Sequence, residues 1–165
     1  MDWLGALMVA GAGILFGLLG VGDMEKTVRR REELCWFLER LSGELEGFCR
    51  PLPELFAYLG GLCAGKSGEL CRRTAESLLA PERESFEHIW AGASEPFPRR
   101  ERQILRPLGS ILGRTAVDQQ LPAIALCRRE MERALEEARE RKRELSRVYI
   151  GLGTAGGVML AVLLI

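Results

Sequence analysis

Five cysteines are the residues whose chemistry could most readily define a site, by holding a metal ion or by forming disulfides. Structural zinc sites use ligand pairs with about two to four residues between them, whereas the two closest cysteines here are eight positions apart. The spacing therefore favours small apolar core residues, and a cytosolic location would keep their thiols reduced. The five positions are Cys35, Cys49, Cys63, Cys71 and Cys127.

The remaining reactive side chains show no arrangement typical of an active site. His88 is the one histidine and has no nucleophile beside it in the chain, so we expect a partly buried or surface side chain. Acidic and basic residues are mixed in runs such as 130–133, which is typical of solvated helix faces. The sequence contains neither a GxxxxGK[ST] nor a GxGxxG phosphate-binding loop. We predict no catalytic residue, metal, cofactor or small-molecule substrate.

The charge balance disfavours nucleic acid as a partner. The chain has 23 Lys and Arg residues and 23 Asp and Glu residues, while proteins that neutralise phosphates carry an excess of basic residues. Because the sequence also lacks a phosphate-binding loop, any nucleotide hydrolysis that this protein serves should belong to a partner protein.

Two uncharged segments, residues 3–22 and 148–165, lie at the ends of the sequence. As helices they would be about 30 Å and about 27 Å long, close to the thickness of a bilayer hydrocarbon core. The first segment could instead be a secretory signal, but it lacks a preceding basic region and a convincing cleavage site. We predict two transmembrane helices with a domain of residues 23–147 between them.

Basic residues next to the two segments predict the orientation, because Lys and Arg are retained on the cytosolic side of a membrane. The domain should be cytosolic and both termini should lie on the opposite side. The same side chains are predicted to contact anionic lipid headgroups. They are Lys26, Arg29, Arg30, Arg31, Arg141, Lys142, Arg143 and Arg147.

Small residues recur at helical spacing in both segments, which would let helix backbones approach closely in lipid. The alternative is that glycine is simply common in membrane helices. The predicted packing positions are Ala6, Ala10, Gly13, Gly17, Gly153, Gly157 and Ala161.

The domain between the segments has a helical pattern almost throughout. Apolar residues from Leu34 to Phe48 recur every three or four positions, and so do Leu55, Leu59 and Leu62 in a second helix. Ser67 is a plausible N-cap for a third helix, which should end before Pro81. We predict an all-α, compact antiparallel bundle of about six helices between the two transmembrane helices.

Three further helices complete that domain, and the first of them is a short fourth helix lined by Phe86, Ile89 and Trp90. Pro107 should kink or break the fifth helix. The last helix should run from about Asp118 into the second membrane segment, with an apolar stripe that includes Ile124, Met131 and Ala138.

Several short motifs, in this order and spacing, resemble the stage III sporulation protein AB family of endospore-forming bacteria. Leu4-Gly5 opens the chain, Pro51-Leu52-Pro53-Glu54-Leu55 resembles a family motif, and a Leu-Gly-x-x-Leu-Gly segment followed by Gln is present at 108–120. Residues 149–165 are similar to the final helix of the family. Ala116 departs from the pattern, since the family usually has Asp there. The motif positions are Pro51, Leu52, Glu54, Gly109, Gly113 and Gln120.

The resemblance implies a place in the mother-cell membrane around the forespore, within a secretion-like complex of stage III sporulation proteins AA to AH. It also implies similarity of the cytosolic helices to the inner-membrane platform protein of type II secretion and type IV pilus systems. By that analogy the chain is a non-enzymatic scaffold that couples a cytosolic secretion-type ATPase to membrane partners. The alternative is a stand-alone membrane tether that dimerises through its long C-terminal helix.

Overall fold

The computed structural model describes the backbone of residues 3–48, 50–81 and 84–164, and side chains within 22–48, 50–81 and 84–146 and at Val148. The described residues form six helices and no strand, which confirms the predicted all-α class. The helices are α1 (Trp3–Gly47), α2 (Leu52–Leu62), α3 (Gly65–Leu79), α4 (Phe86–Ser94), α5 (Arg99–Ile111) and α6 (Val117–Leu164).

Helix α3 begins earlier than the sequence predicts. Its N-cap is Ala64, and Gly65 at its first position has a φ of +60°. Ser67 lies inside the first turn, where its hydroxyl donates to the carbonyl oxygen of Ala64 over 2.9 Å. The predicted N-cap at Ser67 is therefore wrong. A serine just inside a helix gives the same local sequence signal as a serine at the N-cap, so the sequence does not distinguish the two positions.

Pro107 does not break α5, which continues to Ile111. Pro107 is itself exposed, and the loss of one amide donor is tolerated because the inward face of α5 is packed in the core. Ile104, Leu105 and Leu108 on that face are buried.

The chain divides into two compact units. One comprises Met1–Val28 and Glu136–Ile165, and the other Arg29–Leu135. Within Arg29–Leu135, helix α2 packs against α3, α3 against α4, and α4 against α5. This unit is the compact helical bundle.

Aromatic side chains fill the centre of the bundle. The Trp90 ring lies 5.7 Å from Phe56, 6.0 Å from Phe86 and 6.4 Å from Phe37, measured between ring centroids. Its indole Nε1 donates to the carbonyl oxygen of Leu105 over 2.9 Å, so its polar atom is satisfied although the side chain is buried. Residue 90 therefore joins helices α1, α2, α4 and α5.

Most residues that the periodicity places in the core are buried, but two at helix ends are exceptions. Phe48 is 57% exposed and Leu62 is 46% exposed. Helix α1 ends at Gly47 and α2 ends at Leu62. The apolar periodicity therefore continues to the last residue of α2 and one residue past the end of α1, where the chain no longer packs against the core. Their predicted core positions are wrong.

Among the residues whose side chains are described, no helix has a stretch long and apolar enough to span a membrane. The predicted packing positions in both membrane segments lie outside the described side chains and stay predictions. These are Ala6, Ala10, Gly13, Gly17, Gly153, Gly157 and Ala161.

Candidate interaction site

The cysteines that the structure describes are free thiols. Cys63, Cys71 and Cys127 are buried and Cys35 is half-buried, while Cys49 lies outside the described residues. A hydrogen bond between Cys71 and Cys63 lowers the pKa of Cys63 and raises that of Cys71. Burial raises the pKa of Cys127 to about 11.

No group of His, Cys, Asp and Glu side chains suited to a metal ion is found among the described residues. His88 is exposed on α4, as expected for a surface histidine.

A buried ion cluster of Glu101, Arg30 and Arg31 joins three helices. Oε1 of Glu101 on α5 accepts from Arg31 Nε over 2.8 Å and lies 3.4 Å from Arg30 Nη2. Nη1 of Arg31 also donates to the carbonyl oxygen of Ala134 on α6 over 2.5 Å. Glu101 has 0% exposure, so its charge requires these partners.

Burial by itself raises the pKa of Glu101, because a carboxylate loses hydration inside the bundle. The hydrogen bond from Arg31 and the charges of Arg31 and Arg30 lower it by more. The net pKa therefore lies below the usual value of a glutamate, and Glu101 is ionised at neutral pH.

This cluster involves two residues of the predicted lipid-headgroup set. The side chains of Arg30 and Arg31 are only 16% and 11% exposed, and both approach the carboxylate of Glu101; their contact with headgroups stays a prediction. The local run of basic residues could not reveal a partner about 70 positions away in the chain.

The other predicted headgroup residues are more accessible. Lys26, Arg141 and Arg143 are exposed, and Arg29 lies 3.5 Å from Glu33 with its side chain 79% exposed. Lys142 pairs with Glu25 at 3.5 Å. The side chain of Arg147 lies outside the described residues.

The motif positions occupy points where helices meet closely. A Cβ atom at Gly113, whose φ is +79°, would lie 2.6 Å from Cδ1 of Leu52. A Cβ atom at Gly109 would lie 2.9 Å from Cδ1 of Trp90. Glycine at both positions therefore permits contacts that a side chain would obstruct.

The remaining motif positions define helix ends. Pro51 is the N-cap of α2, and Glu54 in the first turn is exposed where a negative charge favours the helix dipole. Gln120 is buried, and its Nε2 donates to the carbonyl oxygen of Thr115 over 2.6 Å. Pro51 forms no side-chain cap, whereas the Gln120 side chain joins the start of α6 to the turn before it.

Ala116 directly precedes α6, and its carbonyl oxygen accepts from the amides of Gln119 and Gln120 over 2.9 and 3.2 Å. This is the N-cap position of α6. An aspartate there would cap the helix, so the departure from the family pattern removes a capping side chain.

One exposed surface has the composition of a protein-binding site. We call it the aromatic–arginine patch: Phe48, Arg50, Tyr58 and Leu62. Cζ of Arg50 lies 5.3 Å from the Phe48 ring centroid and 4.6 Å from that of Tyr58. Nε of Arg50 lies 3.4 Å from Oε2 of Glu44, so the two side chains form an ion pair.

The patch leaves large apolar groups in water. Tyr58 is 40% exposed, in addition to the exposed Phe48 and Leu62, and Tyr58 and Leu62 share one face of α2 at a spacing of four residues. Aromatic residues and arginine dominate the energetics of protein interfaces. Sequence periodicity missed the patch because it assigned Phe48 and Leu62 to the core.

Comparisons with known proteins agree with this fold. The family model of stage III sporulation protein AB matches residues 2–165. A search of curated proteins gave no match. A solved structure of stage III sporulation protein AB (SpoIIIAB) superposes with a TM-score of 0.61 at 18% identity, over 70% of this chain and 94% of that chain. That likeness shows a shared fold, and the family match extends along nearly the whole sequence. The chain therefore belongs to the stage III sporulation protein AB family, and its role lies in sporulation.

Proposed function

We propose that the chain is a non-enzymatic platform of a secretion-like complex in the mother-cell membrane around the forespore. It couples a cytosolic secretion-type ATPase to other proteins of the stage III AA to AH set during endospore formation. The aromatic–arginine patch is the observation that carries this proposal. A patch in which one guanidinium contacts two aromatic rings offers a surface on which a partner can bury apolar area.

The membrane part of the proposal rests on the two uncharged segments. Residues 3–22 and 148–165 cross the bilayer, and the small-residue stripes hold these helices together or against partners. Residues 23–147 lie in the cytosol and both termini lie on the other side. Lys26, Arg29, Arg141 and Arg143 then approach anionic headgroups.

The tether alternative has less support from the geometry. A coiled-coil dimer would need a free apolar seam on α6. Ile124, Met131 and Ala134 of that stripe are already buried within the chain's own bundle. The dimer would have to open the core.

Co-purification tests the platform. The full chain, co-expressed with the complex's secretion-type ATPase and extracted in mild detergent, should retain the ATPase on affinity purification. Replacing both Phe48 and Tyr58 with Ala should reduce the bound ATPase by about tenfold or more, because two interface anchors are lost.

The matched control replaces Leu79 and Leu126 with Ala, since both are exposed apolar residues that are not part of the patch, at 72% and 58% exposure. This control should retain the ATPase. No association of the unmodified chain at roughly tens of micromolar, or equal retention by both double variants, would contradict the proposal.

A further inference from the structure

A second surface of the bundle has a different chemistry from the aromatic–arginine patch. Three arginines, Arg99, Arg102 and Arg106, lie on one face of α5 at spacings of three and four residues. We call them the arginine stripe. They line a groove of about 670 Å³ with residues of α4 that include Glu87, His88 and Ala91.

The stripe is not neutralised within the part of the chain that the structure describes. All three arginines are exposed, and none of their side chains forms an ion pair or hydrogen bond with a described residue. The one carboxylate lining the groove, Glu87, pairs with Arg114 at 3.5 Å. Like charges at this spacing on a helix repel one another, so the stripe destabilises α5 in isolation.

The N-terminal end of α5 adds to the positive potential. The stripe begins at Arg99, the first residue of the helix, where the helix dipole is positive. The acidic residue of that first turn, Glu101, is buried and neutralised by Arg30 and Arg31. No acidic side chain of the first turn therefore reduces the field on the groove side.

We infer that this groove binds an acidic segment of a protein partner, with carboxylates at helical spacing opposite the stripe. Guanidinium groups bind carboxylates bidentately, and the stripe extends over about 10 Å, two turns of a helix. The groove is concave and includes Ala91 and an edge of Trp90, which suits an inserted peptide better than a planar lipid surface. The inference rests on the proposed function in one respect: a platform must bind another protein of the complex in addition to the ATPase.

The test uses the full chain in nanodiscs of phosphatidylcholine. The probe is a fluorescein-labelled, alanine-rich helical peptide with Glu at spacings of three and four, compared with the same peptide carrying Gln. Fluorescence anisotropy should show binding of the Glu peptide that weakens as salt is added, and weaker binding of the Gln peptide.

Replacing Arg102 and Arg106 with Ala should weaken binding of the Glu peptide by about tenfold. The matched control is Arg129→Ala with Arg133→Ala, another exposed pair four residues apart on a helix without an ion partner among the described residues. The control should bind like the unmodified chain. Circular dichroism should show equal helix content in all three proteins.

Equal weakening in both double variants, or equal binding of the Glu and Gln peptides, would overturn the inference. Nanodiscs that contain phosphatidylserine test whether lipid headgroups occupy the groove instead. If the Glu peptide binds to the chain in phosphatidylcholine discs but not in phosphatidylserine discs, headgroups occupy the groove and the inference is also overturned. The ATPase is absent from this titration, so its result is independent of the co-purification test.

Discussion

The guanidinium of Arg31 bonds to both Glu101 and the carbonyl oxygen of Ala134, so one side chain fixes α1 against α5 and α6. A buried carboxylate is unfavourable unless charged partners surround it. The cluster therefore favours this arrangement of the three helices, since separating them would leave the buried Glu101 without its arginine partners.

Glu101→Gln should destabilise the bundle by about 3 kcal/mol, because it keeps the size of the side chain but leaves two largely buried arginines without a counter-charge. Urea unfolding of the full chain in detergent, followed by circular dichroism, measures the change. Glu69→Gln is the control: its partner Arg73 is 2.7 Å away, but both side chains are about half exposed. That change should be about 0.3–0.5 kcal/mol. Similar losses in the two variants would show that burial of the pair is unimportant.

The pH dependence of stability should also report Glu101. Its pKa is lower in the folded chain than in the unfolded chain, so its ion pairs stabilise the fold above the unfolded pKa of about 4.3. That stabilisation is lost as the pH falls through the lower, folded pKa. Urea unfolding between about pH 7 and pH 3 should therefore show a steeper loss for the unmodified chain than for Glu101→Gln. Parallel curves would contradict this assignment.

At the scale of helices, two glycines with opposite surroundings illustrate how the elements end and pack. Gly113 adopts a positive φ beside Leu52, whereas Gly92 lies in α4 with no neighbour within 4 Å of an added Cβ. The residue type is the same at both positions, so it does not reveal which glycine can be replaced. The backbone angle and the neighbouring side chain distinguish the two positions.

Gly113→Ala should destabilise the chain by at least about 1–2 kcal/mol, from the left-handed backbone alone. Gly92→Ala should stabilise it by about 0.5–1 kcal/mol, because alanine has the higher helix propensity and here meets no neighbour. Thermal unfolding followed by circular dichroism measures both changes. Changes of the same sign at the two positions would be inconsistent with the structure.

Ala116→Asp should stabilise the chain by about 1 kcal/mol, since an aspartate at the N-cap accepts from free amides at the start of α6. Ala116→Asn is the companion variant, because it offers the same acceptor without a charge. A rise in Tm for both variants identifies capping as the cause, and a larger rise for Asp measures the contribution of the helix dipole. An unchanged or lower Tm for both would rule out an N-cap at this position.

For the whole molecule, the sequence predicts the class and number of helices because periodicity is local to each helix. It also identifies most of the core, such as Leu34, Leu38 and Leu41 on α1. The interaction surfaces are harder to predict. They depend on the residue at which a helix stops packing and on ion-pair partners that lie far away in the sequence. Periodicity therefore places Phe48 and Leu62 in the core, where the structure leaves them exposed, and the local basic run does not reveal that Arg30 and Arg31 pair with Glu101.

Fusions with alkaline phosphatase test the proposed topology. The enzyme folds only outside the cytosol, so a fusion after Ile165 should be active and an insertion after Glu95, between α4 and α5, should be inactive. Green fluorescent protein at the same two positions should give the reverse pattern. Activity of the phosphatase at Glu95, or its inactivity at Ile165, would contradict two membrane crossings with a cytosolic domain.

The successive packing of α2 on α3, α3 on α4 and α4 on α5 has a consequence during synthesis of the chain. These contacts join neighbours in the sequence, so they can form while the ribosome is still translating α6. Ile124 and Met131, which complete the core, and Ala134, which accepts from Arg31, emerge last. A product that ends before Val117 therefore leaves the apolar faces of the earlier helices in water, where we expect it to aggregate or to be degraded.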